Sequence, residues 1–172
     1  MKYLSYIVVI FVVLGASCNE QTKHQKPMSD AELRDQLIEF NKDKMNNEDA
    51  FITAYVEKYE LAMQRSQTGM RYELFKVGEG DTISVGDAVE IKYRIRLGDS
   101  TLCYSSKVSG PLQMLVEGSD APPGFHEVVQ YMQSGDSAHC IWPARLGYGM
   151  TGDLHKIPLN AILLVDLSVR EL

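Results

Sequence analysis

Residues 138–169 constrain the fold more than any other stretch, because they combine a strand, a glycine-rich loop and a second strand. Small or apolar side chains recur at every second position up to Trp142. Pro143, which cannot donate to a ladder, predicts an edge or an end of this strand. Residues 161–169 are rich enough in Ile, Leu and Val to predict a central strand.

The loop between these strands holds one tyrosine among three glycines. Gly147, Gly149 and Gly152 surround Tyr148, and glycine permits positive φ at little cost. Such a loop can present an aromatic hydroxyl beside the apolar strand. The arrangement predicts a small apolar pocket with one polar group.

Upstream, alternating patterns predict an antiparallel sheet with one solvated face. Strands are expected at residues 71–77, 89–97 and 112–116, since apolar and polar side chains alternate most clearly in the second of these. Pro122 and Pro123 suit the first turn of a helix whose apolar stripe continues to residue 132. We expect this to be the domain's only helix, covering the inner face of the sheet.

Several of these segments, in this order, resemble the FKBP-type peptidyl-prolyl isomerases. The segments are Val85-Gly-Asp87, Tyr104-Ser-Ser106, Pro123-Gly-Phe125, Ser134-Gly-Asp136, and Leu146-Gly-Tyr-Gly-Met-Thr-Gly152 with Ile157-Pro158. The resemblance covers residues 69–172 and is closest to the gliding-motility-associated lipoprotein branch. It implies an α+β fold, in which an antiparallel half-barrel sheet wraps over one short helix.

The resemblance also implies the site residues. Tyr148 would donate a hydrogen bond to a substrate carbonyl, while Tyr93 and Phe125 would form aromatic walls, and these three are the expected catalytic residues. For each aromatic taken alone, simple core packing is the alternative. The expected substrate-binding residues are Cys103, Tyr104, Leu112, Asp153, Ile157 and Val165.

Several residues of this pocket depart from the family pattern. The family has a Phe-Asp pair whose carboxylate lines the pocket, whereas this chain has Cys103 and Tyr104. Asp153 stands where the loop often has His, and Leu112 and Val165 stand where Phe is usual. Because Phe125 and Tyr148 are retained, we expect isomerase activity. The changed residues predict weak binding of macrolide inhibitors and a partial gain of inhibitor affinity in Tyr104→Asp.

The N-terminus predicts an exported lipoprotein. Residues 1–17 contain an apolar run shorter than the roughly 20 residues of a membrane-spanning helix, and small residues directly precede Cys18. We interpret 1–17 as a lipoprotein signal peptide, Cys18 as the lipidated residue and 18–28 as a tether. The protein would then be anchored in the bacterial cell envelope, facing the periplasm or the cell surface. A signal without lipidation and an uncleaved anchor are the alternatives.

Residues 29–68 predict a small helical region. Ser29-Asp-Ala-Glu32 is a capping box, and Asn47 marks a second start, so we expect two short amphipathic helices. Their apolar faces could form a homodimer, pack on the C-terminal domain or hold a client.

The net charge and the spacing of the histidines argue against nucleic-acid binding and metal binding. The chain has 17 basic and 23 acidic residues, giving a net charge of −6, so no electrostatic footprint for nucleic acid is present. Cys103 and Cys140 could pair, although Cys140 also fits a small buried side chain. The four histidines form no ligand spacing, so neither a metal nor a cofactor is expected.

Three function classes follow from the sequence. The first is an isomerase that assists folding of exported proteins and acts on proline-containing polypeptide clients. The second is a client-binding module with the same fold and little turnover, and the third is a lipid-anchored subunit of an envelope machine.

Overall fold

The computed structural model describes residues 29–172. The predicted signal peptide, Cys18 and the tether lie outside this part. The chain divides into two compact units, one ending at Glu39 and the other Phe40–Leu172. In chain order the elements are α1 (Asp30–Lys58), β1 (Gln64–Arg65), β2 (Arg71–Lys76), β3 (Ala88–Leu97), β4 (Leu102–Ser105), α2 (Ser106–Ser109), β5 (Leu112–Leu115), α3 (Pro123–Val129), β6 (Ser137–Trp142), a 3₁₀ turn (Ala144–Leu146) and β7 (Leu163–Glu171).

Helix α1 is one continuous helix, so the prediction of two short helices is wrong. The capping box is present, because Glu32 Oε2 accepts the N–H of Ser29 at 2.9 Å and Ser29 Oγ accepts the N–H of Glu32 at 3.3 Å. Asn47 does not start a new helix, since no Gly or Pro interrupts the chain from Asp30 to Lys58. The helix ends at Lys58, and β1 occupies part of the region predicted to be helical.

All strands join one seven-stranded sheet in the order β1-β2-β6-β7-β3-β4, with β5 also pairing with β3. Every strand pair is antiparallel. Strand β7 lies between β6 and β3, which confirms the central strand predicted from its apolar run. Pro143 marks the end of β6 and not a sheet edge, because β6 is flanked by β2 and β7.

Helix α3 covers the inner face of the sheet, and the predicted α+β fold is confirmed. Phe125, Val128 and Val129 on this helix are each at most 2% exposed and belong to the main hydrophobic core. The prediction that α3 is the domain's only helix is wrong. Helix α2 follows β4, with Ser105 Oγ accepting the N–H of Lys107. The spacing of apolar residues cannot predict a helix of only four residues.

The C-terminal half of α1 packs against the sheet. Ile52 is 1% exposed and forms a second apolar cluster with Ile141 and Leu164. The buried Arg71 side chain donates hydrogen bonds to Asp49 and Thr53 of α1, both at 3.0 Å. Docking on the domain, one of the three alternatives for this region, therefore holds for this half of the helix. Within residues 29–172, no helix is both long enough and apolar enough to cross a membrane.

Candidate functional site

Three aromatic rings from three different elements meet above the inner face of the sheet. The Phe125 ring of α3 lies 5.6 Å from the Tyr93 ring of β3 and 4.9 Å from the Trp142 ring of β6, both in edge-to-face geometry. Edge-to-face contacts are favourable because the positive ring edge meets the negative ring face. Of the three rings, those of Phe125 and Trp142 are buried and that of Tyr93 is half-buried.

Trp142 packs against Phe125 in this group of rings, although the sequence analysis assigned it only to a strand and not to the site. Its side chain is fully buried, and a Cβ atom at Gly124 would lie 2.5 Å from the Trp142 ring. Glycine at this position therefore lets α3 approach the indole. The strand alternation that groups Trp142 with Cys140 was the available signal for its inward orientation.

Tyr148 follows the 3₁₀ turn in a loop held by backbone hydrogen bonds. Gly149, with φ +63°, donates its N–H to the carbonyl of Ala144 at 2.8 Å and accepts the N–H of Asn160 at 3.0 Å. Burial raises the pKa of Tyr148, so its hydroxyl is protonated at neutral pH. Among residues 29–172 that hydroxyl has no hydrogen-bond partner, and it is available as a donor.

Two of the residues that depart from the family pattern, Tyr104 and Asp153, contact each other. The Tyr104 hydroxyl donates to Asp153 Oδ2. Asp153 Oδ1 accepts the backbone N–H groups of His155 and Lys156 at 2.9 Å and of Ile157 at 2.8 Å. The side chain of Asp153 therefore ties its own loop together and joins the loop to β4.

Ionisation at this pair follows from the same contacts. Partial burial opposes the charge on Asp153, but the hydrogen bonds from Tyr104 and from three backbone N–H groups outweigh it and lower its pKa to about 2. The pKa of Tyr104 is raised to about 12, mainly by the hydrogen bond to Asp153 and to a smaller extent by burial. At neutral pH, a neutral phenol therefore donates to a charged carboxylate.

A second set of contacts joins β4 to the same loop. Lys156 Nζ donates to the carbonyl of Cys103 at 3.1 Å and lies 5.2 Å from the centre of the Tyr104 ring. The thiol of Cys103 lies 3.7 Å from the carbonyl of Lys156. Cys103 and Cys140 are free, and burial raises the pKa of each thiol, so both thiols are protonated at neutral pH.

Eight of the nine predicted site residues belong to the main hydrophobic core or pack against it, and the ninth, Asp153, contacts one of them. Tyr93, Tyr104, Leu112 and Tyr148 are half-buried against the main core, Asp153 is attached through Tyr104, and the fully buried members are Cys103, Phe125, Ile157 and Val165. Their roles in catalysis and binding stay predictions. In the described part of the chain, no three His, Cys, Asp or Glu side chains are grouped to hold a metal ion.

The fold is that of a known family. The family model of the FKBP-type peptidyl-prolyl cis-trans isomerases matches residues 79–169, which is more than half of the chain. The chain belongs to this family.

Relatives and solved structures agree with this assignment. FkpA, an FKBP-type peptidyl-prolyl cis-trans isomerase of Escherichia coli K12, is 30% identical over 131 residues, covering 74% of this chain and 47% of the relative. The outer membrane protein MIP of Legionella longbeachae is 32% identical over 115 residues, covering 64% of this chain and 48% of that protein. The crystal structure of FkpA from E. coli shares the fold, with a TM-score of 0.62 and 22% identity, over 98% of this chain and 89% of that one.

This chain spans less than half the length of the curated relatives it matches. The similarity therefore establishes the family and the fold of this chain.

Proposed function

We propose that the protein catalyses cis–trans isomerisation of X-Pro peptide bonds in polypeptide clients. The observation that carries this proposal is the half-buried Tyr148 hydroxyl, which has no partner among residues 29–172 and belongs to the same core region as the rings of Tyr93 and Phe125. A hydrogen-bond donor and aromatic rings in the same core region suit a prolyl peptide bond, which offers a carbonyl acceptor and an apolar ring.

The chemistry needs neither a nucleophile nor a cofactor. Resonance keeps the peptide bond planar, and rotation about it costs about 18–20 kcal/mol. The twisted bond has lost that conjugation and is less dipolar, so an apolar surface disfavours the planar ground state relative to the transition state. Tyr148 would hold the substrate carbonyl while the bond turns, with Phe125 and Tyr93 excluding water.

A protease-coupled assay with proline-containing peptides, run on the full chain in mild detergent, tests this function. Acceleration of the slow phase above the uncatalysed rate is expected. Peptide binding without acceleration would overturn the isomerase function and favour the client-binding module.

A further part of the proposal concerns the location of the protein, which is the cell envelope. We propose that Cys18 is lipidated and anchors the protein to a membrane facing the periplasm or the cell surface, where its clients are exported polypeptides. The residues before Cys18 support this, as does similarity to a relative described as an outer membrane protein. The resemblance to the gliding-motility-associated lipoprotein branch supports a role in an envelope machine.

A homodimer through α1 is the proposed assembly. Leu33, Leu37 and Phe40 are 45%, 53% and 64% exposed and follow helical spacing along one stripe of α1. Sedimentation velocity of the full chain in detergent should show a dimer, and a Leu37→Glu variant should be monomeric. A monomeric wild type would reject this assembly.

A further inference from the structure

Between Tyr148 and Ile157, both of which pack in the main core, the large apolar side chains of the loop are exposed. Its side chains Met150 and Leu154 are 68% and 87% exposed, and Leu154 has a φ of +62°. Such a loop relies on polar contacts to keep a defined position. Ile157, which is 3% exposed, is the apolar anchor at the end of this segment.

Asp153 is the centre of the polar contacts. Its Oδ1 atom accepts three successive backbone N–H groups, from His155 to Ile157, and its own N–H donates to the carbonyl of Ile157 at 3.1 Å. Its Oδ2 atom accepts the hydroxyl of Tyr104. Both carboxylate oxygens accept hydrogen bonds from within the chain, so Asp153 helps to fix the position of its own loop.

Tyr104 is the link from this carboxylate to the sheet. It belongs to β4, which pairs with β3 so that Ile95 lies opposite Tyr104, and β3 also carries Tyr93. Lys156 reinforces the link through the carbonyl of Cys103 and the face of the Tyr104 ring. The loop of Tyr148 is thus joined to β4 by a charge-assisted hydrogen bond and by the contacts of Lys156, and β4 pairs with the strand that carries Tyr93.

We propose that Tyr104 and Asp153 form a latch that holds the loop of Tyr148 against β4 and so positions the Tyr148 hydroxyl over the site. The latch rests on the proposed isomerase function. Both members are positioning residues that act through Tyr148. Tyr104 and Asp153 each differ from the family pattern, and because they bind each other the two differences form one structural feature.

Kinetics of single and double variants test the latch in the full chain in detergent. Tyr104→Phe keeps the ring and removes only the donor, and we expect kcat to fall about tenfold, as for loss of one charge-assisted hydrogen bond, with little change in KM. In a Tyr148→Phe background the same change should cost less than twofold, because the group being positioned is already gone. Equal losses in both backgrounds would overturn the proposal.

Two matched controls separate the latch from general effects of substitution. Tyr72→Phe removes another tyrosine hydroxyl that donates a hydrogen bond, to Gln64 at 3.1 Å, outside the site. Asp99→Asn alters another loop carboxylate that accepts a backbone N–H, from Thr101 at 2.9 Å. Both should keep wild-type kcat, whereas Asp153→Asn should lower it, and a comparable loss in the controls would overturn the proposal.

Hydrogen exchange distinguishes failure of the latch from failure of the isomerase function. The amides of His155, Lys156 and Ile157 should exchange at least tenfold faster in Tyr104→Phe, while amides of β7 keep their rates. This readout is independent of turnover. Unchanged exchange at these three amides would reject the latch even if the wild type is an active isomerase, and faster exchange would support it even if no activity is found.

Discussion

The hydroxyl of Tyr104 donates a hydrogen bond to the carboxylate of Asp153, across 49 positions of the chain. Each residue alone is a departure from the family pattern, and together they are a partnered phenol and carboxylate at the edge of the aromatic site. The carboxylate that the resemblance places on the strand is here supplied by the loop. Changes at either position should therefore be interpreted as changes to a pair.

The Tyr148 hydroxyl is expected to act in turnover. Tyr148→Phe keeps the ring and should fold normally, since the hydroxyl has no partner among residues 29–172. Loss of one hydrogen bond, worth about 0.5–1.5 kcal/mol, should reduce kcat/KM by up to about tenfold. Steady-state kinetics in the protease-coupled assay will measure this reduction. An unchanged kcat/KM would show that Tyr148 serves only in packing.

Macrolide binding should be weak and should respond to both latch positions. The sequence alone predicts a gain in Tyr104→Asp, but the structure puts that new carboxylate beside Asp153, where like charges repel. We therefore expect no gain in the single variant and tighter binding in Tyr104→Asp/Asp153→His, measured by calorimetric titration. Tight binding by the wild type, or a gain in the single variant, would contradict this view of the pocket.

Acid should remove the stability that ionised Asp153 contributes. The pKa of Asp153 in the folded chain is about 2, against an ordinary value of 3.8. A lowered pKa means that this contribution is complete above the ordinary value and is lost as the pH falls through about 2. Denaturant unfolding should show that the stability difference between wild type and Asp153→Asn shrinks from pH 5 to pH 2. If the stability difference between the two proteins does not change with pH, the ionised carboxylate of Asp153 does not contribute to stability.

Gly124→Ala should destabilise the domain. The new Cβ atom would lie 2.5 Å from the Trp142 ring, and overpacking of this kind costs about 1–3 kcal/mol. Gly98→Ala is the control, because its Cβ atom would meet Phe51 at an ordinary 3.9 Å. Thermal unfolding of both variants will decide, and equal stability would show that α3 can move away from the indole.

Lipidation should depend on Cys18. Labelling with a radioactive fatty acid should mark the wild type and miss Cys18→Ala, because a thiol is needed for acylation at that position. Equal labelling of both proteins would refute the anchor and leave an ordinary signal or an uncleaved segment.

Local patterns in the sequence were sufficient for much of the fold. Alternation over residues 89–97 predicted β3, because successive side chains of a strand point to opposite faces. The capping box fixed the start of α1, since its hydrogen bonds join residues three positions apart. The glycines around Tyr148 predicted the loop, and two of them, Gly149 and Gly152, have positive φ.

Contacts between distant segments required the tertiary structure. The Tyr104–Asp153 bond and the position of Trp142 under Phe125 depend on how β4, β6, α3 and the loop pack, and no local period records such pairings. The same holds for α1, whose second half is fixed by contacts with Ile141, Leu164 and Arg71. The sequence alone determined where the main strands and α3 lie, because burial of apolar side chains imposes a local period. Only packing decided which of them meet, because those contacts join segments far apart in the chain.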